Sequence, residues 1–368
     1  MVYLRYTRCL LLSLLAFLIP VGLTNYFGDA AALFSKRIHY EKKIAESLLG
    51  GDNVEGVSNL DERILQSLSL KLLKTPPRVF VLGSSRVMNI PSRLFSGASM
   101  FNLGVSGCAL EDLLAFGDLL DQRSFLAGRT IVIGVDPWVF NRFNEQNRWK
   151  SLAANALNGA EKIDWTLKAP STAKDSWKRL SQLISGKYFL RSISGVVRAR
   201  ERGFEIRKTR RDVGELPLRR WDGSIEYGRP FLNRDVNDVR QDAIAYARVN
   251  PVYALGNFSR IDPDLLSGFE KFLAFLKTKG ADVRLVLFPY HPRTYAVLST
   301  SSKYKIIARV EASLRETAAR EGVPIAGSYD PGVVGCAESE YLDGMHLKEG
   351  CLKKILEELQ GRPGVLNP

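Results

Sequence analysis

The stretch that decides the fold is Arg78-Val79-Phe80-Val81-Leu82-Gly83-Ser84-Ser85-Arg86. Pro76-Pro77 comes just before it and ends any earlier helix, because proline can neither continue a helix nor donate to a ladder. The short apolar run that follows favours a buried parallel strand. It stops at a glycine and two serines, which would expose a hydroxyl at the strand's carboxyl end, where open α/β sheets bind ligands. Ordinary turns share this composition, so the meaning of the serines depends on partners elsewhere in the chain.

Strands and helices alternate on either side of one long interruption. The other predicted strands are 99–105, 130–136, 282–289 and 324–330, and the predicted helices are 110–120, 264–279, 303–321 and 348–360. This alternation is typical of a doubly wound parallel sheet, here with five strands. The interruption at about 141–258 is polar, basic and poor in sheet-like runs, with a hairpin-like Trp221-Asp222-Gly223-Ser224 inside it. We therefore interpret it as a long insertion in the α/β domain.

The composition is that of a folded globular protein with an excess of positive charge. Of its 368 residues, 45% are hydrophobic and 25% are charged, and the formal net charge is +13. Such a charge favours anionic neighbours, among them envelope polymers, phospholipid head groups and nucleic acid. The sequence has neither zinc-finger spacing nor an RNA-binding aromatic pattern, so nucleic acid is not an expected partner.

The N-terminus contains an apolar run. Residues 9–23 carry no charge. One bilayer span needs about 20 residues, and the run reaches that length only when Thr24-Asn25-Tyr26-Phe27 is included. We expect residues 1–35 to be an uncleaved membrane anchor. A cleaved signal peptide is the alternative, because Ala30-Ala31-Ala32 offers small residues to a peptidase. Basic residues on both sides leave the orientation undecided, and residues 36–75 are predicted to form a helical stalk.

Four cysteines are present, and none belongs to a CxxC pair: Cys9, Cys108, Cys336 and Cys351. Metal and thioredoxin chemistry therefore have no support in the cysteine spacing. An oxidising compartment would allow one disulfide among the last three, with Cys108 to Cys336 as one choice. Three buried free thiols are the alternative.

A serine nucleophile needs a base, and the chain has three histidines. That base is usually a histidine oriented by a carboxylate. His39 lies in the predicted stalk, His291 follows a predicted strand, and His346 lies three residues after Asp343 in a loop before the last helix. Because side chains three apart on one loop can reach the same pocket, Asp343 and His346 are predicted to form an acid–base pair. Two other roles remain open: Asp343 as a helix N-cap and His291 as a structural or rim residue.

Three sequence blocks resemble those of the SGNH (GDSL-like) hydrolase superfamily. The blocks are Gly83-Ser84-Ser85, Asn102-Leu103-Gly104-Val105-Ser106-Gly107 and Asp343-x-x-His346. They follow the family's order, and the resemblance implies an SGNH-like, flavodoxin-like α/β domain over residues 76–362. It implies Ser85 as the nucleophile, His346 as the general base and Asp343 as its orienting partner.

The resemblance also implies an oxyanion hole made by the N–H groups of Ser85 and Gly107, although the two glycines of this block would equally suit a plain tight turn. The family's next block usually adds an asparagine donor. Here that strand ends Gly134-Val135-Asp136-Pro137-Trp138, and an ionised Asp136 would repel an oxyanion. Asn141 would substitute only if its loop folds back. Loss of one such donor typically costs about 10²–10³ in rate.

A second departure is Arg86, a cation directly after the proposed nucleophile, which would hold an anionic substrate or lower nearby pKa values. Four residues are thus candidates for substrate contact: Arg86, Asp136, Asn141 and His291. In the insertion, the basic runs Arg198–Arg202 and Arg207–Arg211 are either a solvated face or a cradle for an anionic polymer or membrane.

Within the superfamily the chain looks most like membrane-anchored envelope proteins of the alginate O-acetylation and lipoteichoic-acid D-alanylation types. That resemblance implies a serine O-acyltransferase or carbohydrate esterase, with acetyl as the expected acyl group of an envelope polysaccharide. It implies a single-pass protein of the bacterial cytoplasmic membrane that faces the periplasm, beside a membrane-bound O-acyltransferase. It implies no metal or organic cofactor. A non-catalytic carbohydrate-binding or assembly component with the same fold is the alternative.

Overall fold

The computed structural model describes residues 2–28, 38–57, 60–170, 180–193 and 206–361. Two features noted in the sequence lie outside the described residues: the small-residue run Ala30-Ala31-Ala32 and the basic run Arg198–Arg202.

Helices and strands alternate along most of the described chain. The strands are β1 (Asn53–Glu55), β2 (Val79–Leu82), β3 (Met100–Asn102), β4 (Thr130–Gly134), β5 (Arg207–Thr209), β6 (Leu218–Arg219), β7 (Ile225–Glu226), β8 (Asp282–Leu287) and β9 (Ile325–Gly327). The helices are α1 (Val2–Gly28), α2 (Ile38–Leu49), α3 (Glu62–Leu72), α4 (Ser85–Met88), α5 (Leu110–Gln122), α6 (Ala153–Lys162), α7 (Arg229–Leu232), α8 (Val236–Arg248), α9 (Pro263–Thr278), α10 (Pro292–Thr300), α11 (Ile306–Glu321), α12 (Pro331–Val334) and α13 (Glu349–Gln360). Residues 180–183 and 186–193 are also helical.

Five parallel strands form the main sheet, in the order β3-β2-β4-β8-β9. Each lies within one of the five predicted runs, so the prediction of an α/β protein with a five-stranded parallel sheet is confirmed. The turn after β2 requires glycine. Gly83 has a φ of +142°, and a Cβ there would lie 2.7 Å from the carbonyl oxygen of Gly134. The chain can therefore pass close to β4 before it enters α4.

The side chains of alternate residues in the central strands pack into two apolar cores, one on each face of the main sheet. Phe80 and Leu82 pack in one core with residues of α5, α9 and α11, whereas Val79 and Val81 pack in the other with residues of α13. Successive side chains of a strand point to opposite faces, so each strand serves both cores. Each fully buried side chain of this size contributes about 1.5–3 kcal/mol. The sheet is thus held from both faces, and its carboxyl edge is rigidly positioned.

A second, antiparallel sheet has the order β5-β1-β6-β7. Three of its strands lie in the insertion, which the sequence indicated to be poor in sheet-like runs, and here the structure differs. These strands have only two or three residues, and β5 is Arg-Lys-Thr, so no hydrophobic run marks them. Residues 221–224 connect β6 to β7, which confirms the predicted hairpin.

The first part of the insertion belongs to the core of the domain. Trp149, Leu152, Ala156 and Ala160 are all buried in the same core as α5. A Cβ at Gly159 would lie 2.4 Å from the carbonyl oxygen of Leu114, so α6 packs directly against the backbone of α5. This part of the insertion is therefore packed in the core of the domain and is not a solvated surface segment.

The segment predicted as a stalk contacts the α/β domain. Arg63 of α3 pairs with Asp112 of α5, at 2.6 Å from Nε to Oδ1 and 2.8 Å from Nη2 to Oδ2. Both side chains are at most 2% exposed. Removing one partner of such a buried pair typically costs about 3–5 kcal/mol. Helix α3 is therefore fixed to the domain rather than projecting from it.

A disulfide joins Cys336 to Cys351. Cys108 is buried and free, so the Cys108–Cys336 pairing left open by the sequence does not form. Burial raises the pKa of the Cys108 thiol, which is consistent with a packing role. The disulfide encloses the loop that carries Asp343 and His346.

The N-terminal helix α1 is long and apolar enough to span a membrane. Its candidate span runs from Arg5 to Gly28, which is 24 residues, and only 11% of its most apolar window is buried. The helix includes Thr24 to Phe27, the residues that the apolar run needs to reach bilayer length.

Glu111, in the first turn of α5, gives folding a dependence on pH. Burial raises the pKa of its carboxyl to about 7, from 4.5. At pH 8 the folded chain therefore holds a poorly solvated charge, and this cost declines as the pH falls from 7 towards 4.5. We expect Glu111→Gln to raise the free energy of unfolding by about 1–3 kcal/mol at pH 8 and by less than about 1 kcal/mol at pH 5.

Urea unfolding followed by tryptophan fluorescence at both pH values measures this difference. Glu316→Gln, at an exposed site on α11, is the control and should change neither value. An equal gain from Glu111→Gln at both pH values would contradict the expectation.

Candidate active site

The turn after β2 presents one of its two serines. Ser84 is buried, and its Oγ accepts a hydrogen bond from the Arg86 amide at 3.2 Å, which makes it the N-cap of α4. Ser85 begins α4 and is partly exposed. The Ser85 hydroxyl is therefore the one that a ligand can reach.

The structure brings Ser85, His346 and Asp343 together, although 261 positions separate the serine from the histidine. His346 Nε2 lies 2.9 Å from Ser85 Oγ, and His346 Nδ1 lies 2.7 Å from Asp343 Oδ2. With Nδ1–H donating to the carboxylate, the lone pair of Nε2 faces the serine proton. This is the hydrogen-bond chain that activates a serine nucleophile.

Asp343 is held by its own loop. Its Oδ1 accepts from the amides of Met345 and His346, both at 2.8 Å, and its Oδ2 remains for the imidazole. Burial opposes the charge, but the hydrogen bond from His346 and those two amides hold the pKa of Asp343 below its usual value. Asp343 is not a helix N-cap, because α13 is preceded by Lys348 at that position.

Gly107 lies under two polar side chains. Its φ is +61°, and a Cβ there would lie 2.2 Å from Gln146 Oε1 and 2.5 Å from Tyr253 Oη. Among the described residues, no backbone carbonyl accepts from the amides of Ser85 or Gly107. Both N–H groups are therefore candidate donors to a ligand oxygen.

The second sequence block also supports α4, the helix that begins at Ser85. Asn102 is fully buried at the end of β3, and its Nδ2 donates to the carbonyls of Val87 at 2.7 Å and Ile90 at 3.0 Å. Its Oδ1 accepts from the Gly104 amide at 2.9 Å. The asparagine thus fixes the glycine turn and α4 to each other.

Arg86 differs from its predicted role as a contact for an anionic substrate. Its side chain is 1% exposed, and its guanidinium donates to Asp136 Oδ1 at 3.2 Å, Met345 O at 3.1 Å and Pro289 O at 2.7 Å. It also donates to the Phe288 carbonyl. Every part of the fork is occupied inside the protein, so an external anion has no access to it.

Asp136 and Asn141 are also engaged within the protein. Asp136 faces Arg86 and Ser84, and burial raises the pKa of its carboxyl even though Arg86 opposes the shift. Asn141 Nδ2 donates to the carbonyls of Ala254 at 2.9 Å and Gly256 at 3.0 Å. Neither side chain offers a free donor to an oxyanion. The carboxylate of Asp136 is an acceptor, and the amide of Asn141 instead joins the loop after β4 to the insertion.

His291 is a structural histidine and not a rim residue. It is fully buried, and its Nδ1 accepts from the Arg293 amide at 3.1 Å, which caps α10. Its own amide donates to the Gly344 carbonyl at 3.0 Å, so it supports the loop that carries Asp343 and His346. Burial lowers the pKa of the His291 imidazole.

Three residues near the site had no signal in the sequence. The ring of Tyr227 lies 6.3 Å from that of His346, and Tyr227 follows β7 of the insertion. Glu62 bridges the site wall: it accepts from the Ser106 amide at 2.6 Å and from Arg219 Nη2 at 2.6 Å. The hairpin pattern at 221–224 locates Tyr227 after a strand, but no local pattern pairs that hairpin with a loop more than a hundred residues later.

The described residues contain no group of three or more His, Cys, Asp or Glu side chains arranged to hold a metal ion. A scan of the chain against protein-family models finds no match, and a search of the curated proteins finds no significant match.

The buried fork of Arg86 predicts a large effect from a conservative change. Lysine keeps the charge but cannot reach four acceptors in different directions. We expect Arg86→Lys to lower the free energy of unfolding by about 3 kcal/mol or more, since it leaves a buried carboxylate and several carbonyls underpaired.

Arg93→Lys is the matched control, because the Arg93–Glu349 pair is about half exposed, at 46% and 45%. Its effect should be at most about 0.5 kcal/mol. Urea unfolding of both variants measures the two values, and comparable small losses would show that the fork does not hold the site together.

Proposed function

We propose that this chain is a serine acyltransferase or esterase of the SGNH type. The observation that carries the proposal is the hydrogen-bonded series Ser85–His346–Asp343, at 2.9 Å and 2.7 Å. A serine, a histidine and a carboxylate in this order are the parts that nucleophilic acyl transfer requires. The roles match the three sequence blocks residue by residue.

In the proposed reaction, Ser85 Oγ attacks the carbonyl carbon of an ester while His346 Nε2 takes its proton. Asp343 stabilises the imidazolium that forms. The oxyanion of the tetrahedral intermediate accepts hydrogen bonds from the amides of Ser85 and Gly107. When the intermediate collapses, the alkoxide of the donor leaves with the proton from His346, and the acyl group stays on Ser85. A sugar hydroxyl or water then gives its proton to His346 and attacks the acyl-enzyme, which restores the serine.

The order of the strands supports the doubly wound SGNH-type domain. Numbered along the chain, the strands of the main sheet follow the order 2-1-3-4-5, which is the flavodoxin-like order. In such sheets the ligand crevice lies where the strand order reverses, between β2 and β4. Ser85 follows β2 and Asp136 follows β4, so the proposed nucleophile lies at this crevice.

Several features support an envelope protein of the bacterial cytoplasmic membrane with its α/β domain on the periplasmic side. Helix α1 offers an anchor, and the Cys336–Cys351 disulfide suits an oxidising compartment. Lys208 and Arg210, 56% and 81% exposed, share the single carboxylate of Asp52 and keep excess positive charge at the surface. We propose an anionic envelope polysaccharide as the acceptor, acetyl as the acyl group and a membrane-bound O-acyltransferase as the partner that supplies it.

Labelling with a fluorophosphonate tests the proposal directly. The wild-type chain should be labelled and Ser85→Ala should not, because the probe traps an activated serine. Ser84→Ala is the control at the neighbouring hydroxyl and should keep its label. Absence of label from the folded wild type would overturn the enzymatic proposal and favour a carbohydrate-binding component.

Turnover of a simple acetyl ester assigns the base. His346→Ala should lower kcat/KM by roughly 10³-fold or more, since it removes the proton acceptor. His291→Ala should cost far less, because His291 only supports the loop. A loss at His291 equal to that at His346 would move the base assignment.

Gly107→Ala tests the oxyanion turn. A Cβ there would displace the ends of the Gln146 and Tyr253 side chains from the turn, so we expect turnover to fall by about 10-fold, less than the about 10²–10³-fold that loss of an oxyanion donor costs. Gly128→Ala is the matched control: its φ of +68° is similar, but no atom lies within 4 Å of the added carbon. It carries the same backbone strain without the collision, so an equal loss in both variants would remove Gly107 from the proposed site.

A further inference from the structure

The carboxyl-terminal end of α1 is packed against the insertion. Asn25 is fully buried, and its Nδ2 donates to three backbone carbonyls: Gln182 at 3.0 Å, Leu183 at 2.8 Å and Ser185 at 3.2 Å. Gln182 and Leu183 lie in the last turn of a short helical segment, where carbonyls have fewer intrahelical partners, and the Gln182 carbonyl also accepts from the Ser185 amide at 3.1 Å. An asparagine inside an apolar helix is costly unless it is bonded, so the contact explains why Asn25 is there.

The contact sets the depth of residues 180–193 relative to a bilayer. The 24-residue span of α1 is about 36 Å long at about 1.5 Å per residue, whereas the hydrocarbon core is about 30 Å thick. Centred on the bilayer, the span leaves about two residues beyond the hydrocarbon at each end. Asn25 then lies close to the boundary between acyl chains and head groups, and so do the carbonyls it binds.

Residues 180–193 turn an apolar surface outward at this level. Four large aliphatic side chains are exposed, although most of this chain's aliphatic residues are buried: Leu180 55%, Ile184 61%, Leu190 67% and Ile193 40%. Lys187 and Arg191 are exposed beside them, while Tyr188 and Ser192, four positions apart, are buried. Apolar side chains next to lysine and arginine are typical of helices that lie in the membrane interface.

We propose that residues 180–193 form an interfacial seat, which lies in the lipid head-group region and holds the α/β domain against the membrane. The occupant of the apolar surface is the bilayer itself, because the surface continues the exposed apolar side of α1. Lys187 and Arg191 would contact anionic head groups. The proposal rests on α1 being a membrane span and is independent of the catalytic proposal.

A fluorescent probe at single positions tests the seat in the full-length chain reconstituted into phosphatidylcholine–phosphatidylglycerol vesicles. In a Cys9→Ser background, which leaves the buried Cys108 and the disulfide, an NBD maleimide label is placed on Ile184→Cys or Leu190→Cys. Leu12→Cys, in the span and 66% exposed, is the positive control, and Val333→Cys, 69% exposed on α12, is the negative control.

Quenching by lipids with a nitroxide near the head group is then compared between positions. We expect the probes at 184 and 190 to emit at shorter wavelength in vesicles and to be quenched at least about twofold more than the probe at 333. If they behave like the probe at 333 while the probe at 12 is quenched by lipids with a mid-chain nitroxide, the span is inserted and the seat is wrong. If the probe at 12 is not quenched either, both the span and the seat are wrong. Fluorophosphonate labelling of the same samples reports the catalytic proposal separately.

Discussion

A single buried guanidinium connects the parts of the candidate site. Arg86 follows Ser85 directly, and it binds the carboxylate after β4, two carbonyls after β8 and the Met345 carbonyl beside His346. A buried cation without partners costs several kcal/mol, so the folded chain keeps these partners together. Ser85 and the loop with His346 are therefore held against each other by a contact that involves neither Ser85 Oγ nor His346 Nε2. Arg86 therefore fixes the positions of Ser85 and of the loop with His346, and its charge is neutralised by partners inside the protein.

The turn at Ser106 and Gly107, on another side of the site, is held by α3, which lies outside the main sheet. Both backbone polar groups of Ser106 contact α3, since its amide donates to Glu62 at 2.6 Å and its carbonyl accepts from Arg63 at 3.1 Å. The next residue is Gly107, so α3 fixes the turn that carries this candidate donor. Glu62 in turn binds Arg219 of the small sheet. A segment before the domain and a hairpin inside the insertion thus meet at one turn, which explains why neither is a detachable appendage.

The main sheet was predictable because its strands are continuous apolar runs that end at small residues. The grouping of Ser85 with Asp343 and His346 was predictable because each block is local and lies at a strand or helix end. The occupied fork of Arg86 was not, since its acceptors are mostly main-chain carbonyls that any residue provides. The small sheet was missed because strands of two or three residues, such as Arg-Lys-Thr, Leu-Arg and Ile-Glu, are too short to show a periodic pattern.

The separation of 261 positions between Ser85 and His346 also orders events during synthesis. At about 5–20 residues per second, the serine leaves the ribosome roughly 10–50 s before the histidine. Strand β9 and the loop with Asp343 and His346 follow the other four strands of the main sheet, so the sheet is complete only after they have been synthesised. Through that interval Ser85 lacks His346, its hydrogen-bond partner. The Ser85–His346 hydrogen bond, and any reactivity that depends on it, therefore forms only after both segments have been synthesised and have folded together.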